Sequence, residues 1–170
     1  MEIKKLVQDL EDNSEFKKWK LDHPIAFISH LFTKINQDFD ITEKWDIGYF
    51  CQDKEKVTIF VKDDNNNFLL KNVDDVFKKK MDKVEPLNLS KVELNFQQAQ
   101  NKVKSYLNDK FPNYQGLLGN GFVILQSLNK KIVWNFSIIT KKMSMVNIKL
   151  SAVDGSFISK DEVNFLQQNA

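Results

Sequence analysis

Residues 130–157 read KKIVWNFSIITKKMSMVNIKLSAVDGSF, and the two-residue period in this stretch decides the fold. Ile132, Trp134, Phe136 and Ile138 fall on one side of an extended chain, and Val133, Asn135, Ser137 and Ile139 on the other. In the second run Val146, Ile148, Leu150 and Ala152 alternate with Asn147, Lys149 and Ser151. Successive strand side chains point to opposite faces, so the pattern predicts an antiparallel hairpin with one packed face and one largely wet face. The turn Asp154-Gly155 closes it.

Working outward, Phe122 to Leu128 reads as a preceding strand and Gly116 to Asn120 as a flexible turn. Before that turn, Asn95 and Gln98 have the spacing of a reciprocal helix-capping pair. They predict a helix whose buried stripe is Ala99, Val103, Tyr106 and Leu107, stopped by Pro112 and Asn113. Downstream, Ser159 and Glu162 predict a capped final helix bearing Val163, Phe165 and Leu166.

The first half carries similar signals. Ile3, Leu6, Val7 and Leu10 form the stripe of an amphipathic helix, and Ser14 is placed to cap a second helix with Phe16 and Trp19. Pro24 suits the first turn of a longer helix, ending near Gln37, with Ile28, Leu31, Phe32 and Ile35 as its apolar stripe. Trp45, Ile47, Tyr49 and Cys51, a polar turn at 53–56, and Val57, Ile59 and Val61 predict a hairpin. Asp63 to Asn67 is turn material before a third strand at Phe68 to Leu70, and Asn72 is placed to cap a short helix with Val73, Val76 and Phe77. Lys78 to Lys83 and Glu85-Pro86 read as a linker.

The halves repeat. A shift of 75 lays Ile28, Leu31 and Phe32 on Val103, Tyr106 and Leu107, and Val57, Ile59 and Val61 on Ile132, Trp134 and Phe136. Residues 69–77 fall on 156–164 with a shift of 87. The expectation is an α+β protein: an N-terminal helical segment (1–22), then two tandem two-layer units, each a helix laid on an antiparallel meander, at 23–85 and 86–170.

The second unit, about residues 95–158, resembles the PepSY domain, and the pair resembles a degenerate tandem of it with a cystatin-like layering. The likeness rests on the helix, the strand motif Trp134-Asn135-Phe136, and the run from Ile148 to Phe157. In that run Ala152 and Gly155 match the family's Asp-Ala-x-Thr-Gly-x-Val, while Ser151, Asp154 and Phe157 replace its Asp, Thr and Val. The resemblance implies a non-catalytic module that binds a protein or peptide, in some relatives as a peptidase inhibitor.

Composition limits the chemistry. With 14 Phe and three Trp among 170 residues, the chain can bury a core without disulfides or metals. All 25 basic residues are Lys, and the missing Arg argues against specific nucleic-acid reading and phosphoryl chemistry. A net charge of +2 gives no strong steering. The N-terminus lacks a continuous apolar segment and Cys51 has no partner, so a cytoplasmic protein without a membrane span is expected.

His23 and His30 are the only histidines, too few for a His-rich metal site, and both read as structural. Cys51 shares a face with Trp45, Ile47 and Tyr49 and reads as a buried hydrophobe. Neighbouring carboxylates at 11–12, 63–64 and 74–75 do not face one another as an acid/base pair would. The loop 63–67 lacks the glycine and terminal glutamate of a calcium loop. The glycines at 116, 119 and 121 follow a helix and precede a strand, the reverse of a nucleotide loop.

The expected function is therefore a non-enzymatic protein- or peptide-binding or regulatory module, inhibitor-like, with no cofactor and no metal. Trp45, Tyr49, Trp134, Asn135 and Lys149 are its candidate binding surface. The alternative is a carrier or sensor of a small apolar ligand in a pocket between helix and sheet.

Overall fold

The computed structural model describes residues 3–75 and 83–165. The chain runs α1 (Ile3–Asp12), α2 (Ser14–Asp22), β1 (Phe27–Ile35), β2 (Asp46–Cys51), β3 (Lys56–Lys62), β4 (Phe68–Asp75), α3 (Phe96–Lys110), β5 (Leu118–Leu128), β6 (Lys131–Thr140), β7 (Ser144–Ser151) and β8 (Phe157–Asn164). Ile3, Leu6, Val7 and Leu10 are all buried along α1. The cap of α2 is Asn13 rather than Ser14, its side-chain oxygen accepting from the amides of Glu15 and Phe16. Asn95 and Gln98 make the reciprocal cap of α3, and Ala99, Val103 and Leu107 are buried beneath it.

The helix expected over 24–37 is a strand, β1, and a bulge explains the misreading. Pairing with β2 shifts register between Ile28 and His30, and the extra residue brings Ile28 onto the same face as Leu31 and Ile35. Spacings of three and four, which mark a helix, thus occur in an extended chain. Phe32 goes to the opposite face, where its ring lies 5.6 Å from that of Phe122. The residues themselves favour a strand, since Phe27, Ile28, Phe32, Thr33 and Ile35 are aromatic or β-branched.

The final helix expected from Ser159 is likewise a strand: β8 pairs with β7 from Ser144↔Asn164 to Leu150↔Phe157. Glu162 does not cap. Its carboxylate accepts from the Tyr114 and Ser144 hydroxyls across the sheet. The short helix expected after Asn72 is replaced as far as Asp75 by the continuation of β4, and Val76 and Phe77 lie outside the described residues.

All eight strands form one antiparallel sheet in the order β4-β3-β2-β1-β5-β6-β7-β8. Two four-stranded meanders run outward from the central pair β1·β5, joined from His30↔Gln126 to Ile35↔Gly121. The strand starts Phe27 and Leu118, Asp46 and Lys131, Lys56 and Ser144, and Phe68 and Phe157 are 91, 85, 88 and 89 residues apart. A shift of 75 therefore lays β2 on β5 and β3 on β6, one strand out of step, because β1 reads as a helix. The shift of 87 falls on the topologically equivalent pair β4 and β8.

The three helices pack on one face of this sheet. Leu31, Ile35, Ile47, Leu125, Trp134, Phe136 and Ile148 meet Leu6, Leu10, Phe16, Ala99, Val103 and Leu107 in one core. Trp134 is fully buried and its indole N–H donates to the Leu94 carbonyl at 3.0 Å. Burying such a side chain contributes about 2–3 kcal/mol. A smaller cluster of Phe50, Val57 and Ile59, with Phe27, Val61 and Val84 against it, lies on the other face near one end.

Candidate binding surfaces

Four of the five expected surface residues are buried, three of them in the core and Asn135, 9% exposed, on the other face, which leaves only Lys149 half-buried. Trp45, Tyr49 and Trp134 are 6%, 3% and 0% exposed. Strand alternation places them with Ile47 and Phe136 on the helix-covered face, so they cannot meet a partner. Tyr49 donates its hydroxyl to Glu11 at 2.9 Å, and burial, reinforced by that carboxylate, raises its pKa far above the ordinary tyrosine value.

Asn135 and Lys149 lie on the opposite face as direct cross-strand neighbours. Asn147 links the group: its amide donates to Asn135 Oδ1 and Ser137 Oγ, while its own oxygen accepts from Lys149 Nζ. Lys149 also pairs with Asp161 on β8 at 3.4 Å. The result is a hydrogen-bonded polar ladder across β6, β7 and β8.

Beside that ladder the same face is apolar. The β1·β5 register sets Phe32 opposite Ile124 and Lys34 opposite Phe122, and Phe32, Phe122 and Ile124 are half-buried. Alternation alone could not single them out. Phe32 sits in the bulged strand that imitates a helix, and Phe122 to Leu125 is apolar on both faces.

His30 occupies the same face, half-buried against Gly48, where an added methyl carbon would fall 2.2 Å from the ring. Burial lowers its pKa to about 4. Its Nδ1 lies 2.9 Å from Ser29 Oγ, which donates to the Gly48 carbonyl at 3.2 Å. An imidazole whose Nδ1–H donates to Ser29 satisfies both contacts, and it leaves the hydroxyl, 4% exposed, without a base positioned to activate it. His23 stacks on Trp19 at 4.6 Å, with Nδ1 donating to the Trp19 carbonyl and Nε2 accepting from Lys54. Cys51 is buried, 3.9 Å from Thr58 Oγ1. Among the described residues no group of three or more His, Cys, Asp or Glu is arranged to hold a metal ion. No helix among them is long and apolar enough to cross a membrane.

A separate cleft of about 430 Å³ opens where the C-terminal half of α3 meets the β1–β2 turn and the approach to β5. Leu107, Phe111 and Leu118 give it an apolar floor, with Lys104 and Lys141 among its walls. Phe39, at the turn, has a left-handed backbone, φ 67°. Nothing in the sequence marks this site, because its parts come from three segments.

No protein-family model matches the chain, and no curated protein is significantly similar to it. The fold is similar to the crystal structure of a "putative lipoprotein" from Clostridium difficile 630, with a TM-score of 0.51 and 14% identity, covering 88% of this chain and 90% of the other. At that identity the likeness concerns the fold alone: an α+β architecture built on a large antiparallel sheet.

Proposed function

We propose that the protein is a non-catalytic binding module that docks a folded protein partner on the helix-free face of its sheet. The observation that carries this reading is the half-buried group Phe32, Phe122 and Ile124 at the centre of that face, flanked by the Asn135–Asn147–Lys149 ladder. An apolar centre with a polar margin is the anatomy of a protein interface. Its size fits as well. Seven interstrand spacings of about 4.8 Å and strands roughly 27 Å long give a face on the order of 900 Å², close to the 800 Å² or so that one partner contributes to a standard interface.

The ion pairs Lys34–Glu43, Lys71–Asp46 and Lys149–Asp161 involve residues of this face or its margin. Both signs are balanced there, which favours a neutral protein surface over nucleic acid. We also infer that the two helix-plus-meander halves are copies of one PepSY-like unit, supported by strand equivalences 85–91 residues apart. A regulatory or inhibitory action through bound protein, in a reducing compartment compatible with the free Cys51, follows from that inference.

The test is site-specific photo-crosslinking in the cells that make the protein, with a benzophenone side chain at Phe32 or at Ser105 on the exposed side of α3. A discrete adduct from position 32 and none from 105 supports the reading. Adducts equal at both positions, or absent from 32, refute it.

A further inference from the structure

We propose that the cleft beside the C-terminal half of α3 binds a small amphipathic monocarboxylate, an apolar chain or ring bearing a single negative charge. This site is separate from the sheet face, so either reading can fail without the other. Its volume, about 430 Å³, lies in the ordinary range of small-molecule sites. The floor of Leu107, Phe111 and Leu118 would take the apolar part.

Charge selects the head group. Lys104 and Lys141 line the cleft, and Asp38 is the only carboxylate among the lining residues, so the local balance is one positive charge. Neither lysine has a carboxylate partner among the described residues. Lys104 Nζ lies 5.9 Å from the Phe39 ring centre. Lys141 Nζ spends one N–H on the Gly116 carbonyl at 2.9 Å and keeps two donors. Glu162 and Lys160, behind Tyr114 and Phe111, neutralise one another at 3.8 Å. A second negative charge on the ligand would meet Asp38 and the carbonyl end of α3, both repulsive.

The wall at Phe39 is held against its own preference. A left-handed backbone at an aromatic residue is unfavourable and survives only where the surroundings enforce it. Here the Asn36 side chain accepts from the amides of Asp38 and Asp40. Gln100, 3% exposed on α3, donates to the Phe39 carbonyl at 2.7 Å. A buried glutamine and a strained aromatic are thus committed to shaping this wall, and that is the expected sign of a pre-formed site.

The experiment uses the full chain. Anilinonaphthalene sulfonate, a fluorescent amphipathic monoanion, is titrated in and then displaced with decanoate, decanol or decanedioate. The expected result is that decanoate displaces it at least about fivefold better than the alcohol or the dianion, and that the double variant Lys104→Gln/Lys141→Gln weakens decanoate by roughly five- to twentyfold with decanol unchanged. Phe32→Ser on the sheet face should leave every value unchanged. Absence of dye binding, equal displacement by decanol, indifference to the lysine substitutions, or loss of displacement in Phe32→Ser would each overturn the proposal.

Discussion

The contact between Gly48 and His30 ties the sequence to the register of β1 on β2, and it can be broken and repaired. In Gly48→Ala the new methyl carbon would sit 2.2 Å from Cε1, 2.6 Å from Nδ1 and 2.7 Å from Nε2 of the His30 ring. All are far inside contact distance, so the ring must swing away. That movement gives up the 2.9 Å contact with Ser29 and part of the packing of the half-buried ring. Overpacking of this kind costs about 1–3 kcal/mol. In a His30→Ala background the three nearest obstacles are gone, and the same change should stabilise by about 0.5–1 kcal/mol, because alanine loses less backbone freedom than glycine in a strand. The sign therefore reverses, and the coupling energy of the four-member cycle should be about 1.5–4 kcal/mol. Urea unfolding of the four proteins, followed by fluorescence and circular dichroism to check two-state behaviour, measures it. Effects that add to within about 0.5 kcal/mol would show that His30 does not face Gly48, and the β1·β2 register with its bulge would be wrong.

Three further outcomes are expected. His30 has its pKa lowered by burial from 6.5 to about 4, so between those values the unfolded chain holds a proton that the folded one lacks, and stability is lost as pH falls through that window. Wild type should lose roughly 2 kcal/mol more than His30→Gln between pH 7 and 5, and equal losses in matched urea titrations would refute this. Trp134→Phe leaves the Leu94 carbonyl without its indole donor and should destabilise by about 1–3 kcal/mol from that alone, with cavity formation adding to it; a change under about 0.5 kcal/mol would remove Trp134 from the core. The fragment 86–170 exposes the edge of β5 that β1 normally covers, including Leu125 and Val123, so it should self-associate on gel filtration. A monomeric fragment with a cooperative melt would show that the halves are independent.

Legibility followed whether a segment's spacing was unique to one geometry. The stretch 130–157 was readable because Trp134, Phe136, Ile148 and Leu150 fit a period of two and no other, and β6 and β7 appear there. The stripes of α1 and α3 were readable for the same reason at a helical period. In β1, Leu31 and Ile35 lie four apart, which is in phase for both a strand and a helix, and the bulge after Ile28 adds the odd step that normally excludes a strand. One inserted residue in the central strand thus displaced the repeat from about 88 to 75 and hid how the halves join. The candidate sites were obscured by a different cause. Trp134 and Trp45 drew notice as large aromatics, but in a sheet whose helices all lie on one side, the largest side chains settle where most area can be buried, which is under the helices. The residues left for contact are those of opposite parity, Phe32, Phe122 and Ile124, and parity in β1 cannot be assigned until the bulge is known. Finding the bulge from sequence would require recognising that Gly48 stands where His30 needs room, a pairing that links residues 18 apart across two strands. The same small residue that leaves room for the imidazole therefore marks the register in which Phe32 reaches the open face.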